Sequence, residues 1–182
     1  MTKSPFSGHN ERATKLLGII HTDVCGPMSI QARGGYLYFI TFTDDYSRYG
    51  YVYLMRHKSE SFEKFKDFRQ EVQNQLGKSI KILRSDRGGE YLNSEFGEYL
   101  KECGIVSQLT PPHTPQHNGV SKRRNQTLFD MVRSMMSYAN LPTSFWGYVL
   151  ETATHTLIEC RQNLWIRLHM NYGMGENPYC LI

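Results

Sequence analysis

The sequence predicts one mixed α/β domain with the element order β-β-β-α-β-α-β-α-α. Three consecutive segments rich in aromatic and β-branched residues come first, and segments with apolar residues at three- and four-residue steps alternate with short strands after them. The chain has 182 residues, of which 40% are apolar and 21% charged, so it can bury a core. This composition excludes a disordered chain.

The first three predicted strands follow one another with short connections. Residues 16–23 form an apolar run that ends before Cys25-Gly-Pro27. The second strand is predicted at residues 36–43 and the third at 48–57, with Asp44-Asp-Tyr-Ser47 providing turn residues between them. Three strands in succession predict an antiparallel meander.

Helices and strands alternate after the meander. The first helix begins near Ser59, a possible N-cap, and Gly77 ends it; Phe62, Phe65 and Phe68 mark its apolar face. The other predicted elements are a strand at 80–84, a helix at 93–102, a strand at 105–109, a helix at 120–138 and a last helix capped by Ser144.

Several function classes are disfavoured by simple features of the chain. The cysteines (Cys25, Cys103, Cys160 and Cys180) form no CxxC pair, so neither a zinc site nor a disulfide framework is indicated. The start lacks the apolar segment of a signal peptide, and no apolar run approaches ~18 residues, which argues against secretion and membrane spanning. The formal net charge of +4 permits an anionic partner without requiring one.

Two carboxylates are predicted at strand ends, Asp23 after the first strand and Asp86 after the fourth. Neighbouring strands hold such side chains rigidly, and a pair of carboxylates can bind magnesium ions for phosphodiester chemistry. Acidic residues at strand ends are, however, more often simple turn formers. Position alone therefore leaves both interpretations open.

Four segments of the chain resemble successive motifs of copia-type retrotransposon integrases. They are His21-Thr-Asp-Val-Cys-Gly-Pro27, Asp44-Asp-Tyr-Ser-Arg48, Arg84-Ser-Asp-Arg-Gly-Gly-Glu-Tyr91 and Pro111-Pro-His-Thr-Pro-Gln-His-Asn-Gly-Val-Ser121. The motifs come in the order of that family, and the resemblance covers about residues 3–153.

The resemblance implies a ribonuclease H-like fold, in which helices flank a mixed five-stranded sheet. It also implies metal-dependent phosphodiester cleavage and strand transfer on DNA, with Mg²⁺ or Mn²⁺ held by an Asp, Asp, Glu triad. DNA is the implied partner, a homo-oligomer is compatible with the family, and the implied compartment is the nucleus or the cytoplasm.

Asp23 and Asp86 match the first two members of this triad. The family has 35 residues between the last two members, and residues 87–121 are 35 positions, so the third member falls at position 122, which is Lys122 and not the Glu of the family. An ammonium group has no lone pair for a metal and repels it. We therefore expect this copy to have lost strand transfer. A side hypothesis places the Lys122 ammonium between the two aspartates as an internal counter-ion.

The loop and helix start around position 122 are predicted to contact nucleic acid. Lys122, Arg123 and Arg124 would contact phosphates, with His117 and Asn118 of the preceding loop beside them. The plainer interpretation is a solvated, positively charged helix face. If catalysis is lost, two alternatives remain for the chain: a non-catalytic DNA-binding or dimerisation module, or a pseudogene product with no role.

The predicted domain organisation has three parts. Residues 1–14 form a lead-in arm, residues 15–153 the catalytic core, and residues 154–182 a divergent tail. With permitted synonymous codons, the tail can be written as a message whose next reading frame resembles the family's continuation. We therefore expect a single-base insertion or deletion near codon 154, and no functional role for Trp165, His169 or Cys180.

Overall fold

A computed structural model describes residues 12–110 and 118–172 of the chain. Its elements follow the predicted order β-β-β-α-β-α-β-α-α. They are β1 (Ile19–Cys25), β2 (Tyr38–Asp44), β3 (Gly50–Met55), α1 (Ser61–Leu76), β4 (Ile82–Ser85), α2 (Ser94–Glu102), β5 (Val106–Leu109), α3 (Gly119–Ala139) and α4 (Trp146–Tyr172).

The five strands form one mixed sheet with the order β3-β2-β1-β4-β5. Strand β2 pairs antiparallel with both β1 and β3, which confirms the predicted meander. Strand β4 pairs parallel with β1, and β5 pairs parallel with β4. Helix α2 connects β4 to β5, whereas β2, β3 and α1 lie between β1 and β4 in the chain; both parallel pairs thus have the long crossover connection that parallel pairing requires.

The two faces of the sheet carry separate apolar layers, because successive side chains of a strand point to opposite faces. Ile40 and Phe42 of β2 pack against α1 and α2, and Phe42 stacks on Phe68 with ring centroids 4.5 Å apart. Phe39 of the same strand packs against α3 and α4, where its ring lies 5.5 Å from that of Phe129. Helices on both faces confirm the ribonuclease H-like architecture that the resemblance implies.

Two predicted helix caps are wrong. Ser59 lies inside a short 3-10 turn, and the turn is organised by Glu60, whose carboxylate accepts hydrogen bonds from the backbone N–H groups of Arg56 and His57. Ser144 lies inside a second 3-10 turn that precedes α4. There the indole of Trp146 donates to the Ile30 carbonyl at 2.8 Å, so a tertiary contact fixes the start of α4. Gly77 ends α1 in the left-handed region, as predicted.

Candidate active site

Asp23 lies within β1 and not after it. The apolar pattern stops at residue 23, but pairing with β2 continues to Cys25, so the strand extends past the point that the sequence predicted. The Asn125 amide of α3 donates to Asp23 Oδ2 at 2.9 Å, and the Thr41 hydroxyl of β2 donates to Asn125 Oδ1 at 2.9 Å. Three elements therefore fix the position of one carboxylate.

Asp86 directly follows β4, as predicted. Its Oδ1 atom accepts a hydrogen bond from the Gly88 backbone N–H at 3.0 Å. Because His21 of β1 is in register with Arg84 of β4, the residues two positions further on, Asp23 and Asp86, come level on neighbouring parallel strands. Neighbouring strands lie about 4.8 Å apart. The fold thus brings the two predicted carboxylates together at the carboxyl end of two neighbouring interior strands.

The surroundings of Asp23 disfavour its charged form. Burial raises the pKa of Asp23 to about 6, and the negative charges of Asp86 and Glu90 act in the same direction. The hydrogen bond from Asn125 and the positive charge of Lys122 lower this pKa but do not cancel the rise. A half-buried carboxylate crowded by others is typical of a site that binds a cation or does acid-base chemistry.

Lys122 is the fourth residue of α3, and its side chain is exposed. No ion pair within 4 Å joins it to Asp23 or Asp86 in the described part of the chain, and its role as an internal counter-ion remains a prediction. Its charge acts on Asp23 only at longer range. Within residues 12–110 and 118–172, no three His, Cys, Asp or Glu side chains are grouped to hold a metal.

Comparison with known proteins places this geometry in a family. Residues 13–115, more than half of the chain, match the family model described as "Integrase core domain". The chain belongs to this family. A retrovirus-related Pol polyprotein from the tobacco transposon TNT 1-94 is 41% identical over 177 residues, which cover 92% of this chain and 13% of the polyprotein. A similar polyprotein from the Arabidopsis thaliana transposon RE2 is 33% identical, over 85% of this chain and 10% of its own length.

Solved structures similar to this integrase core support the same fold. One is a chain of the simian T-cell lymphotropic virus intasome in complex with PP2A regulatory subunit B56 gamma, with a TM-score of 0.65 and 20% identity; the match covers 82% of this chain and 51% of that one. Another is the HTLV-2 integrase catalytic core domain in complex with magnesium, with a TM-score of 0.59 and 18% identity, covering 80% and 88%. The resemblance to copia-type integrases and the predicted fold are both confirmed.

Helix α4 continues the apolar packing of the core past residue 153, as far as Leu157. Helix α4 runs through this position, Ala153 is fully buried, and Leu157 packs against the same apolar layer. Since 92% of 182 residues is about 167, the alignment with the tobacco polyprotein also includes residues after 153. The division at residue 153 and the altered reading frame remain predictions, and the nucleotide sequence of the gene tests the second directly. None of the helices in the described ranges is long and apolar enough to cross a membrane.

The side chain of Asn118, predicted to contact nucleic acid, faces the sheet of the integrase core. Asn118 is fully buried, and its amide donates to the Thr22 carbonyl at 3.1 Å. The equally buried Ser121 follows it on the same helix face, and Asn125 continues that face to Asp23. Sequence analysis did not identify this polar strip, because polar residues at the start of a helix are equally typical of a solvated surface. His117, the other predicted loop contact, lies outside the described residues.

The two arginines after Lys122 differ in exposure. Arg123 is exposed, as a phosphate contact requires. Arg124 is only 6% exposed and donates to the Arg48 carbonyl at 3.5 Å. Arg124 therefore lies on the inner side of α3, over Gly50 at the start of β3, and its predicted contact with phosphate remains a prediction. A Cβ atom at Gly50 would lie 2.7 Å from Arg124 Nη2, so the guanidinium lies directly over the Gly50 backbone.

Replacing Asp23 should stabilise the fold near neutral pH. Its pKa is raised from 3.8 to about 6, so the folded state binds the proton more tightly than the unfolded state. That contribution is present below pH 4 and is lost as the pH rises through about 6. With EDTA present, Asp23→Asn should raise the free energy of unfolding at pH 7 by about 1–3 kcal/mol. Urea titrations should show that this gain shrinks toward pH 4. A gain equal at both pH values would contradict the assignment.

Proposed function

We propose that this integrase core binds nucleic acid but does not catalyse strand transfer, because Lys122 occupies the position from which a third acidic ligand would come. The observation that carries the proposal is the arrangement of three residues. Asp23 and Asp86 are level on adjacent strands, and the charge of Lys122 on the facing helix is close enough to lower the pKa of Asp23.

The two aspartates fit part of a divalent-cation site. Carboxylate oxygens are the ligands that Mg²⁺ and Mn²⁺ prefer, and when bound such ions activate an attacking oxygen and stabilise a leaving one. The magnesium in the HTLV-2 core shows that a protein of similar fold binds such an ion. In this chain the third position carries a cation, which offers no lone pair and repels the metal. The residues present therefore do not complete the ligand set.

The lysine at position 122 favours binding to DNA. Lys122 and Arg123 are exposed neighbours in the first turns of α3. Positive side chains in this position neutralise phosphates and give an affinity that is largely independent of sequence and falls with salt. The positive end of the α3 dipole adds to this charge. The DNA affinity that we propose thus needs neither a metal nor the missing acid.

The proposal is tested by DNA binding without metal and strand transfer with metal. In EDTA, the chain should bind a fluorescein-labelled duplex, and Lys122→Ala should lower the salt slope of log K by about one. Lys101→Ala, an exposed lysine on α2, is the matched control and should leave the slope unchanged. Strand transfer by the unaltered chain in Mg²⁺ or Mn²⁺ would contradict the proposal, as would an equal effect of the two alanine variants.

Self-association is a separate part of the proposal. The HTLV-2 cores of similar fold are described as trimeric and dimeric forms. We expect this chain to form a homo-oligomer as well, and sedimentation equilibrium in EDTA measures it. A monomer at all concentrations would contradict this part and leave the proposed loss of catalysis unaffected.

A further inference from the structure

Four strands have their carboxyl ends on the same side of the sheet. Strand β2 is antiparallel to both β1 and β3, β4 is parallel to β1, and β5 is parallel to β4, so β1, β3, β4 and β5 run in one direction. Asp23 and Asp86 lie on this side, near the end of β1 and directly after β4. The segments that follow β3 and β4 therefore begin on either side of Asp23.

Arg87, the residue after Asp86, is held in place by the backbone. Its Nε–H donates to the Thr110 carbonyl at 3.1 Å. Thr110 is itself buried, and it donates twice to the Ser85 carbonyl at the end of β4, from its N–H and from its hydroxyl, each at 2.9 Å. The exposed guanidinium of Arg87 is thus fixed to the ends of β4 and β5.

The positive charge of Arg87 has no compensating carboxylate nearby. No ion pair within 4 Å joins it to an acidic group of residues 12–110 and 118–172, although Asp86 is adjacent in the sequence. The bond to Thr110 uses only the Nε–H, and the two Nη groups have no hydrogen-bond partner within the same ranges. A fixed, planar guanidinium with two unbonded Nη groups suits two parallel hydrogen bonds to one phosphate.

Lys58 provides a second cation, on the other side of Asp23. It begins the short 3-10 turn that follows β3, its side chain is exposed, and none of the ion pairs among the described residues includes it. Burial, Asp23 and Asp86 raise the pKa of the Cys25 thiol, and the charge of Lys58 opposes this rise. The charge of Lys58 therefore reaches the end of β1, two residues from Asp23.

We propose that Arg87 and Lys58 bind phosphates of one DNA strand on opposite sides of Asp23. This rests on the proposed function, and it adds contacts on the sheet to those on α3. Three strand spacings, about 14 Å, separate β3 from β4, a length that corresponds to about four steps of one DNA strand. A strand bound to both side chains passes over Asp23 and Asp86. Because these carboxylates repel phosphates, flanking cations are needed to hold DNA there.

Salt titrations with a fluorescein-labelled duplex in EDTA test the two contacts separately. Arg87→Ala and Lys58→Ala should each lower the salt slope of log K by about one, since each removes one phosphate contact. At fixed salt, Arg87→Ala should weaken binding about tenfold, because a charge-assisted pair of hydrogen bonds is lost. A thermal melt verifies that both variants are folded.

Arg87→Lys separates the geometry of the contact from its charge. The ammonium keeps the positive charge, so the salt slope should match that of the unaltered chain. It lacks the planar fork that the Thr110 carbonyl orients, so binding at fixed salt should be about fivefold weaker.

Arg133→Ala is the matched control. Arg133 is an exposed arginine about three turns from Lys122 on the same helix, and it already contacts Asp130. Its replacement should change neither the salt slope nor the affinity. A loss in Arg133→Ala equal to that in Arg87→Ala would show a general effect of charge and overturn the proposed contacts.

The other outcomes separate this proposal from the proposed function. DNA binding that Lys122→Ala weakens, but that Arg87→Ala and Lys58→Ala leave unchanged, overturns the two contacts and leaves the proposed function intact. A loss in the Arg87 and Lys58 variants without one in Lys122→Ala supports the two contacts and contradicts the role proposed for Lys122. Unchanged affinity in Arg87→Lys overturns the part played by the fixed guanidinium. An unaltered chain that does not bind DNA overturns both proposals.

Discussion

Lys122→Glu should create a saturable Mg²⁺ and Mn²⁺ site that the unaltered chain lacks. The substitution replaces one positive charge by one negative charge beside Asp23 and Asp86, and it supplies a carboxylate from α3. Because a change of two charge units acts strongly in a half-buried site, we expect the affinity for Mn²⁺ to rise by about a hundredfold or more. Isothermal titration measures this, and Mn²⁺ at a hundred times the dissociation constant should stabilise the variant by about 2.7 kcal/mol.

Lys122→Gln separates the two parts of this effect. It removes the positive charge but adds no charged ligand, so it should recover only a small part of the affinity gained by Lys122→Glu. Strand transfer of labelled oligonucleotides should appear only in the Glu variant. Equal Mn²⁺ binding by the Gln and Glu variants would mean that repulsion by the Lys122 ammonium, and not the missing carboxylate, prevents metal binding.

Saturable Mn²⁺ binding by the unaltered chain would contradict the role given to Lys122. Another acid would then complete the site, and Glu90 is the first to test. Its carboxylate packs over Gly88, within 2.6 Å of where a Cβ atom there would be, and its charge contributes to the raised pKa of Asp23. Under this outcome, Glu90→Gln alone should abolish the Mn²⁺ binding of the otherwise unaltered chain.

The order of helices and strands could be predicted from the sequence. So could the mixed sheet and the proximity of Asp23 and Asp86. Strand and helix periodicities are local signals, and the parallel pairing of β4 with β5 follows from the helix between them. The register that brings Asp23 level with Asp86 was implied by the motifs and not by periodicity. The identity of the residue at position 122 needed only the sequence and the family spacing.

The surroundings of the site could not be predicted, because they depend on contacts between distant parts of the chain. Asn125 and Asp23 are 102 residues apart, and Asn118 reaches Thr22 across 96 residues. Counting back from Leu128 at helical spacing leads to Arg124, Asn125 and Ser121, so periodicity could have placed these residues on the buried face of α3. Their partners across the sheet could not be predicted in this way.

Asp45→Asn should be the most destabilising single change outside the apolar core. Both oxygens of this buried carboxylate are used: Oδ2 accepts from the Ala13 N–H at 2.8 Å, and Oδ1 contacts His21 Nε2 and Arg48 Nη1, each at 3.1 Å. Removing one member of a buried ion pair leaves the others uncompensated. Since Arg48 is partly exposed, we expect a loss of about 3 kcal/mol, at the lower end of the usual range. Urea unfolding at pH 7 measures it.

Asp67→Asn is the matched control, because its partner Lys64 lies on the same exposed helix face. That change should cost less than about 0.5 kcal/mol. An equal loss in both variants would show that the Asp45 cluster is no more than a surface ion pair.

Acid unfolding gives an independent check on Asp45. Burial alone would raise its pKa, but the His21 hydrogen bond, the Ala13 N–H and the charge of Arg48 outweigh it and hold the pKa at about 2. A lowered pKa means that the stability contributed by Asp45 is complete well above pH 3.8 and is lost as the pH falls toward 2. Asp45→Asn should therefore lose less stability than the unaltered chain between pH 4 and 2. A parallel loss in both proteins would show that other groups control acid unfolding and that the Asp45 contacts are weak.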